Sequence, residues 1–157
     1  MTILDAKLIM GTNIDVGSLS TSSGAVDVIG DIVDFGTGKN AFFEAATPNI
    51  GEDAELELVV FCDGEDGAGA ASTVLTFTLE TAAALASSDL SSATILLTQA
   101  ISGVTNVAPN AGDEILRARI PPGSFKRYAA LRIAASGGNP SAGKYSAFIA
   151  LGQQSAK

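Results

Sequence analysis

Along residues 55–63, ELELVVFCD, Glu55 and Glu57 alternate with Leu56, Leu58 and Val60; along 73–80, TVLTFTLE, Thr76, Thr78 and Glu80 alternate with Leu75, Phe77 and Leu79. A period of two sends alternate side chains to opposite faces, so both segments are predicted to be half-buried β-strands. Residues 26–35, 41–47, 93–99, 115–120, 127–135 and 145–151 are further strand candidates, each bounded by Gly, Pro, Asn or Ser clusters. About eight strands is the number of a jelly roll. The helical rival is LETAAALASSDL, residues 79–90, where alanines favour a turn or two of helix before the serines break it. It reads as a connection between strands.

Several strands are apolar on both faces. Tyr128, Ala130 and Ala134 oppose Ala129, Leu131 and Ile133, and Phe148 with Ala150 oppose Ile149 with Leu151. A sheet with one face in water alternates more cleanly, so loops or a second subunit are expected to cover the outer faces.

Composition supports an all-β domain: 17 of 157 residues are glycine, and strong helix signatures are nearly absent. A chain this long can bury a core without disulfides or metal. One cysteine, Cys62, allows no internal disulfide or zinc cluster, and the lack of histidine removes the commonest general base and metal ligand. Cys62 sits among apolar residues in VVFCD and reads as a buried, inert thiol. The N-terminal MTILDAKLIMG has Asp5 and Lys7 inside its apolar stretch, unlike a signal peptide, and residues 90–112 are uncharged but too polar for a bilayer span. The sequence reads as that of a soluble protein with no membrane partner.

Charge divides unevenly along the chain. The first 114 residues hold all 17 acidic groups with only Lys7 and Lys39, a balance of −15, whereas Arg117, Arg119, Lys126, Arg127, Arg132, Lys144 and Lys157 give the remainder +7. Such polarity suggests complementary surfaces, within the fold, between subunits or with an acidic partner. Ordinary cross-strand neutralisation accounts for it equally well. A net charge of −8 makes nucleic acid a poor partner.

Two motifs resemble ligand loops. From Gly138, GNPSAGKY follows the phosphate-loop spacing, with Tyr145 where a magnesium-binding hydroxyl residue belongs. A phosphate loop must open a helix, whereas KYSAFIALG has strand periodicity, so a β-hairpin from 127–135 to 145–151 is expected instead. DGEDGAG, residues 63–69, lacks the alternating ligands and distal glutamate of a calcium loop and reads as an acidic hairpin tip. No catalytic, metal or cofactor site is assigned. A sugar-binding jelly roll would use aromatic platforms, for which only Tyr128 and Tyr145 stand out, there being no tryptophan.

A family resemblance enters at AGDEILRARIPPGSFKRYAALRIAASGGNPSAGKYSAFIA, residues 111–150. This resembles the C-terminal half of the jelly-roll capsid cement, or decoration, proteins of tailed bacteriophages. That half has a G-D-x-[apolar] strand ending in proline, a [KR]-R-Y-x-x-[LV]-R strand, and a G-x-[apolar]-[ST]-A strand after a glycine-rich turn. VDVIGDIVDFGTGKNAFF, residues 26–43, is similar to the family's first strand and the turn after it. The resemblance implies an all-β, about eight-stranded antiparallel jelly-roll sandwich over residues 26–157, with residues 1–25 as an N-terminal arm. It implies a non-enzymatic protein, made in the bacterial host cytoplasm, that binds the major capsid protein on the outer capsid surface and strengthens the shell. A homotrimer on threefold positions is favoured by analogy, with a homodimer the other option. Arg117, Arg119, Lys126, Arg127, Tyr128, Arg132 and Phe148 are the candidate subunit or capsid contacts. The rival readings are a carbohydrate-binding jelly roll with a groove near Tyr128 or Tyr145, and nucleotide hydrolysis.

Overall fold

The structure is a computed structural model that describes residues 8–19, 27–36, 38–39, 45–46, 56–64, 73–102, 109–140 and 142–151. The strands among them are β1 (Ile9–Asp15), β2 (Asp27–Ile29), β3 (Val33–Asp34), β4 (Gly38–Lys39), β5 (Ala45–Ala46), β6 (Leu56–Cys62), β7 (Val74–Ala82), β8 (Ala84–Ala86), β9 (Asp89–Ser91), β10 (Thr94–Ser102), β11 (Glu114–Ile120), β12 (Tyr128–Ser136) and β13 (Lys144–Leu151). No α-helix occurs among the described residues. One sheet runs β1-β13-β6-β11 and the other β10-β7-β12-β2, with β3 also on β12.

Taking β2 and β3 as one interrupted strand and setting aside the short β4–β5 and β8–β9 ribbons leaves eight strands. In chain order their sheets read 1-8-3-6 and 5-4-7-2. The first pairs with the last, the second with the seventh, the third with the sixth and the fourth with the fifth, all antiparallel. This nested pairing is the jelly roll.

Alternation builds the core. Leu56, Leu58, Val60 and Cys62 of β6 face inward with Tyr145, Ala147 and Ile149 of β13, against Leu75, Phe77 and Leu79 of β7 and Ala129, Leu131, Ile133 and Ala135 of β12. The Phe77 ring, from one sheet, meets Tyr145, from the other, edge-on at 5.3 Å and 79°. Thr81, fully buried, accepts from the Lys126 amide at 2.8 Å and donates to the Tyr128 carbonyl at 2.8 Å. Those bonds offset the cost of burying a hydroxyl.

Several expectations need correction. β12 and β13 lie in different sheets, so the connection between them passes from one layer to the other and is not a hairpin turn. The connection after β6 crosses likewise, and residues 65–69 of the acidic glycine-rich stretch lie outside the described residues. The alanine-rich stretch is not helical: residues 79–82 finish β7, and 84–91 form the β8–β9 ribbon, turning through Ser87 at φ 57. Among residues 26–35 the strand is interrupted at 30–32, where a Cβ on Gly30 would stand 2.3 Å from the Met10 carbonyl oxygen. The stretch read as an N-terminal arm contributes β1, whose Met10 and Ile14 join the core together with Val16 and Leu19. Of the candidate strand 41–47, residues 45–46 form β5, paired with β4, and the rest lie outside the described residues.

Candidate interaction faces

The seven candidate contacts fall on opposite sides of the sandwich. β11 and β12 are consecutive in the chain but belong to different sheets. Arg117, Arg119 and Phe148 therefore project from the outer face of the β6 sheet, whereas Tyr128 and Arg132 project from the outer face of the β12 sheet, with Lys126 and Arg127 just before that strand. They do not form one basic patch.

Within the fold, most of this positive charge meets acid. The Arg117 guanidinium donates twice to Glu114, at 3.1 and 2.7 Å, and once to Glu57 on β6, at 2.8 Å. Arg119 stands opposite Glu57 in register. Arg127 makes a two-pronged contact with Asp34, both bonds at 3.0 Å, while its guanidinium lies 4.7 Å over the Tyr128 ring. Lys126 donates to the Thr94 hydroxyl at 2.7 Å. Exposed pairs of this kind are worth little individually, but they remove the free positive field that the charge division suggested. Neutralisation within the fold thus accounts for much of the polarity.

Arg132 is different in kind. Its side chain is 22% exposed and donates from Nη1 to Asp27 at 2.6 Å, from Nη2 to Asp89 at 2.6 Å and from Nε to Glu80 at 3.1 Å. The three carboxylates come from β2, β9 and β7, so one guanidinium ties two strands of the sheet and the β8–β9 ribbon together. Beside it, Leu90 of the ribbon packs on Ala82 and Ala130, both fully buried, with Ile29, Ile32 and Tyr128 around them. The apolar outer face noted in the sequence is thus partly covered by the chain's own ribbon.

On the opposite face, Phe61 and Phe148 stack at 5.8 Å and 20° as diagonal neighbours on adjacent strands. They line a shallow trough of about 400 Å³ with Ile9, Thr12, Asp63 and Ser146. The polar end is tied internally: Ser146 donates to Asp63, and the Asn13 amide donates to Ser146 at 3.1 Å. Val59, flanked in register by Phe148 and Arg117, is fully buried. Around the trough, this face is edged by the ion-paired charge of Arg117 and Glu57. Sequence reasoning missed Phe61, although the period of β6 already put it on the Glu57 face.

The phosphate-loop spacing at residues 138–145 does not sit at the start of a helix. Lys144 opens β13, and no helix follows it. The Gly143 carbonyl accepts from Val16 at 3.0 Å and the Lys144 carbonyl from Asp63 at 2.8 Å, so this backbone serves the sheet. ATP with magnesium is expected to leave the melting midpoint unchanged, and Lys144→Ala to alter stability by less than about 0.5 kcal/mol. A midpoint rising with ATP concentration would count against this. Tyr145 is 1% exposed and packs on Phe77, so it offers no sugar platform. The buried Cys62 thiol donates to the Gly64 carbonyl at 2.8 Å, in keeping with an inert thiol. Among the described residues no acidic or cysteine group is arranged to hold a metal.

The match to known families covers the region just described. The Bbp16 family model matches residues 18–149. The chain belongs to the Bbp16 family. The match runs from beyond the end of β1 into β13, so the edge strand β1 precedes it while the Arg132 cluster and both phenylalanines fall within it. No curated protein matches this Bbp16-family chain.

Three carboxylates respond to these contacts. Arg127, then the Gly36 amide, lowers the Asp34 pKa; the Leu90 amide, then Arg132, lowers that of Asp89; and Arg117 lowers that of Glu114. Each folded-state value lies below the unfolded one, so the stabilisation is complete above the unfolded pKa, near about pH 4, and is lost as pH falls through the folded value. The melting temperature should therefore drop progressively below about pH 4. An unchanged midpoint between neutral pH and about pH 3 would contradict it.

Proposed function

We propose that this protein is a non-enzymatic capsid cement protein, which binds the major capsid protein on the outer surface of an assembled phage shell as a homo-oligomer and stabilises it. The observation that carries the reading is the nested jelly-roll order, the architecture implied by the resemblance at residues 26–43 and 111–150. Those phrases contain β2, β3, β4, β11 and β12 and all but the last residue of β13. The aromatic surface around Phe61 and Phe148 supports it, because a shallow apolar centre edged by neutralised charge suits docking on another protein surface. Many weak copies on a symmetric shell gain by avidity, so no deep pocket is needed.

The test is co-sedimentation with purified capsid shells. Wild type is expected to pellet with shells and to raise their resistance to heat. Phe148→Ser, verified as folded by its melting curve, should bind about tenfold more weakly, as for loss of an aromatic anchor. Wild type that stays in the supernatant at every shell concentration would overturn the reading.

A further inference from the structure

The trough beside Phe61 and Phe148 has one polar end, and the acid there is held differently from its neighbours. Glu57 and Glu114, at the edge of the same face, both meet Arg117, at 2.8 and 2.7 Å. Asp63, which lines the trough, makes no ion pair among the described residues. Its carboxylate accepts from two neutral donors, the Ser146 hydroxyl and, at 3.3 Å, the Asn13 amide, and both reach the same oxygen, Oδ2. Among the described residues Oδ1 accepts nothing. Asp63 is exposed, as is Thr12 on the trough wall.

This arrangement restricts what can dock here. A protein that seated on Phe148 and covered Asp63 without a cation would leave a carboxylate desolvated and unpaired, which costs more than the apolar contact returns. The partner must therefore bring positive charge to Oδ1. With Oδ2 already holding two donors, a guanidinium fork finds one open acceptor, whereas a compact ammonium needs no more than one. A lysine also lays its aliphatic stem on apolar surface while its head stays with polar groups. Ile9, Phe61 and Phe148 supply that surface, and the aromatic rings attract a cation close to them.

We propose that the trough receives a lysine side chain of the shell protein, its stem across Phe61 and Phe148 and its ammonium on Asp63 Oδ1, an inference that rests on the cement reading. Ser146 and Asn13 then have a stated task. By occupying Oδ2 they fix the carboxylate and leave Oδ1 as its open acceptor. The net charge of −8 favours the approach of a basic group.

The experiment compares wild type with Asp63→Asn in shell co-sedimentation and adds a cross-link on wild type. Asparagine keeps the shape and an acceptor oxygen but not the charge, so the variant should bind about tenfold more weakly at low salt, with a melting curve close to that of wild type. Raising salt should narrow the gap. On wild-type particles bound to shells, a carbodiimide, which joins a carboxylate to an amine in contact with it, should link Asp63 to a lysine of the shell protein. An Asp63→Asn protein that pellets with wild-type affinity, a cross-link from Asp63 to Lys7, Lys144 or Lys157 of its own chain, or none from Asp63 to the shell would each overturn the proposal and leave the cement reading standing. Wild type that does not pellet overturns that reading, and the lysine site falls with it.

Discussion

Arg132→Ala is expected to lower stability by about 3 kcal/mol, at the low end of the cost of breaking a buried ion pair because the guanidinium retains some contact with water. The loss is that of three carboxylates left without their shared cation. Glu80, 9% exposed, has the least access to replacement water, and Asp27 and Asp89 would then repel it. For a chain of this length the midpoint should fall by about 6–12 °C. Arg132→Lys, which keeps the charge but not the three-way fork, should fall between wild type and alanine. A double-mutant cycle with Asp89→Ala should give coupling well above about 0.5 kcal/mol, since the two side chains are in direct contact. Thermal melts of the five proteins check this, and a midpoint for Arg132→Ala within a degree of wild type would contradict the cluster's role.

The same cluster marks where the sequence ceases to be legible. Period two located β6, β7, β11, β12 and β13 to within a residue or two, because burial between two layers imposes alternation directly on the chain. It placed Leu58, Phe77, Leu131 and Ile149 in the core for the same reason. Pairing is another matter. Asp27, Glu80 and Asp89 lie 105, 52 and 43 residues from Arg132, and nothing local states that they converge. Only the nested strand order brings β2, β7 and β12 side by side, which is why the basic residues looked like a surface field and are in large part internal ties. The assumption that consecutive strands are neighbours failed in the same way: in a jelly roll, β12 and β13 are adjacent in sequence and separated by the core.

In the alanine-rich stretch, read as a connection between strands, tertiary preference overrides the local helical one. Alanine favours helix by a few tenths of a kcal/mol per residue, but residues 84–91 have no apolar helical face to bury. As a ribbon they place Leu90 over Ala82 and Ala130, with Asp89 on Arg132. The aromatic face followed a different rule. Phe61 and Phe148 are both outward by periodicity, but that β13 lies beside β6, letting the rings stack, was not written in either strand.

Phe77→Ala should be the most destabilising substitution considered, at about 3–5 kcal/mol, because it removes a fully buried ring where neither layer can readily collapse. Phe77 is 1% exposed, stands opposite Ile133 on β12 and meets Tyr145 of the other sheet edge-on. The lost terms are transfer of the ring, the cavity left between two sheets held by their own ladders, and an aromatic contact worth about 1 kcal/mol. Phe77→Leu refills much of the volume and should cost roughly half as much. Phe148→Ser, on the outer face, should cost far less stability than Phe77→Ala while affecting shell attachment more. Denaturant unfolding of the three variants tests the contrast: with equal m-values, the midpoints should rank Phe148→Ser above Phe77→Leu above Phe77→Ala. A Phe77→Ala protein as stable as Phe148→Ser would mean that the two layers do not close on this ring.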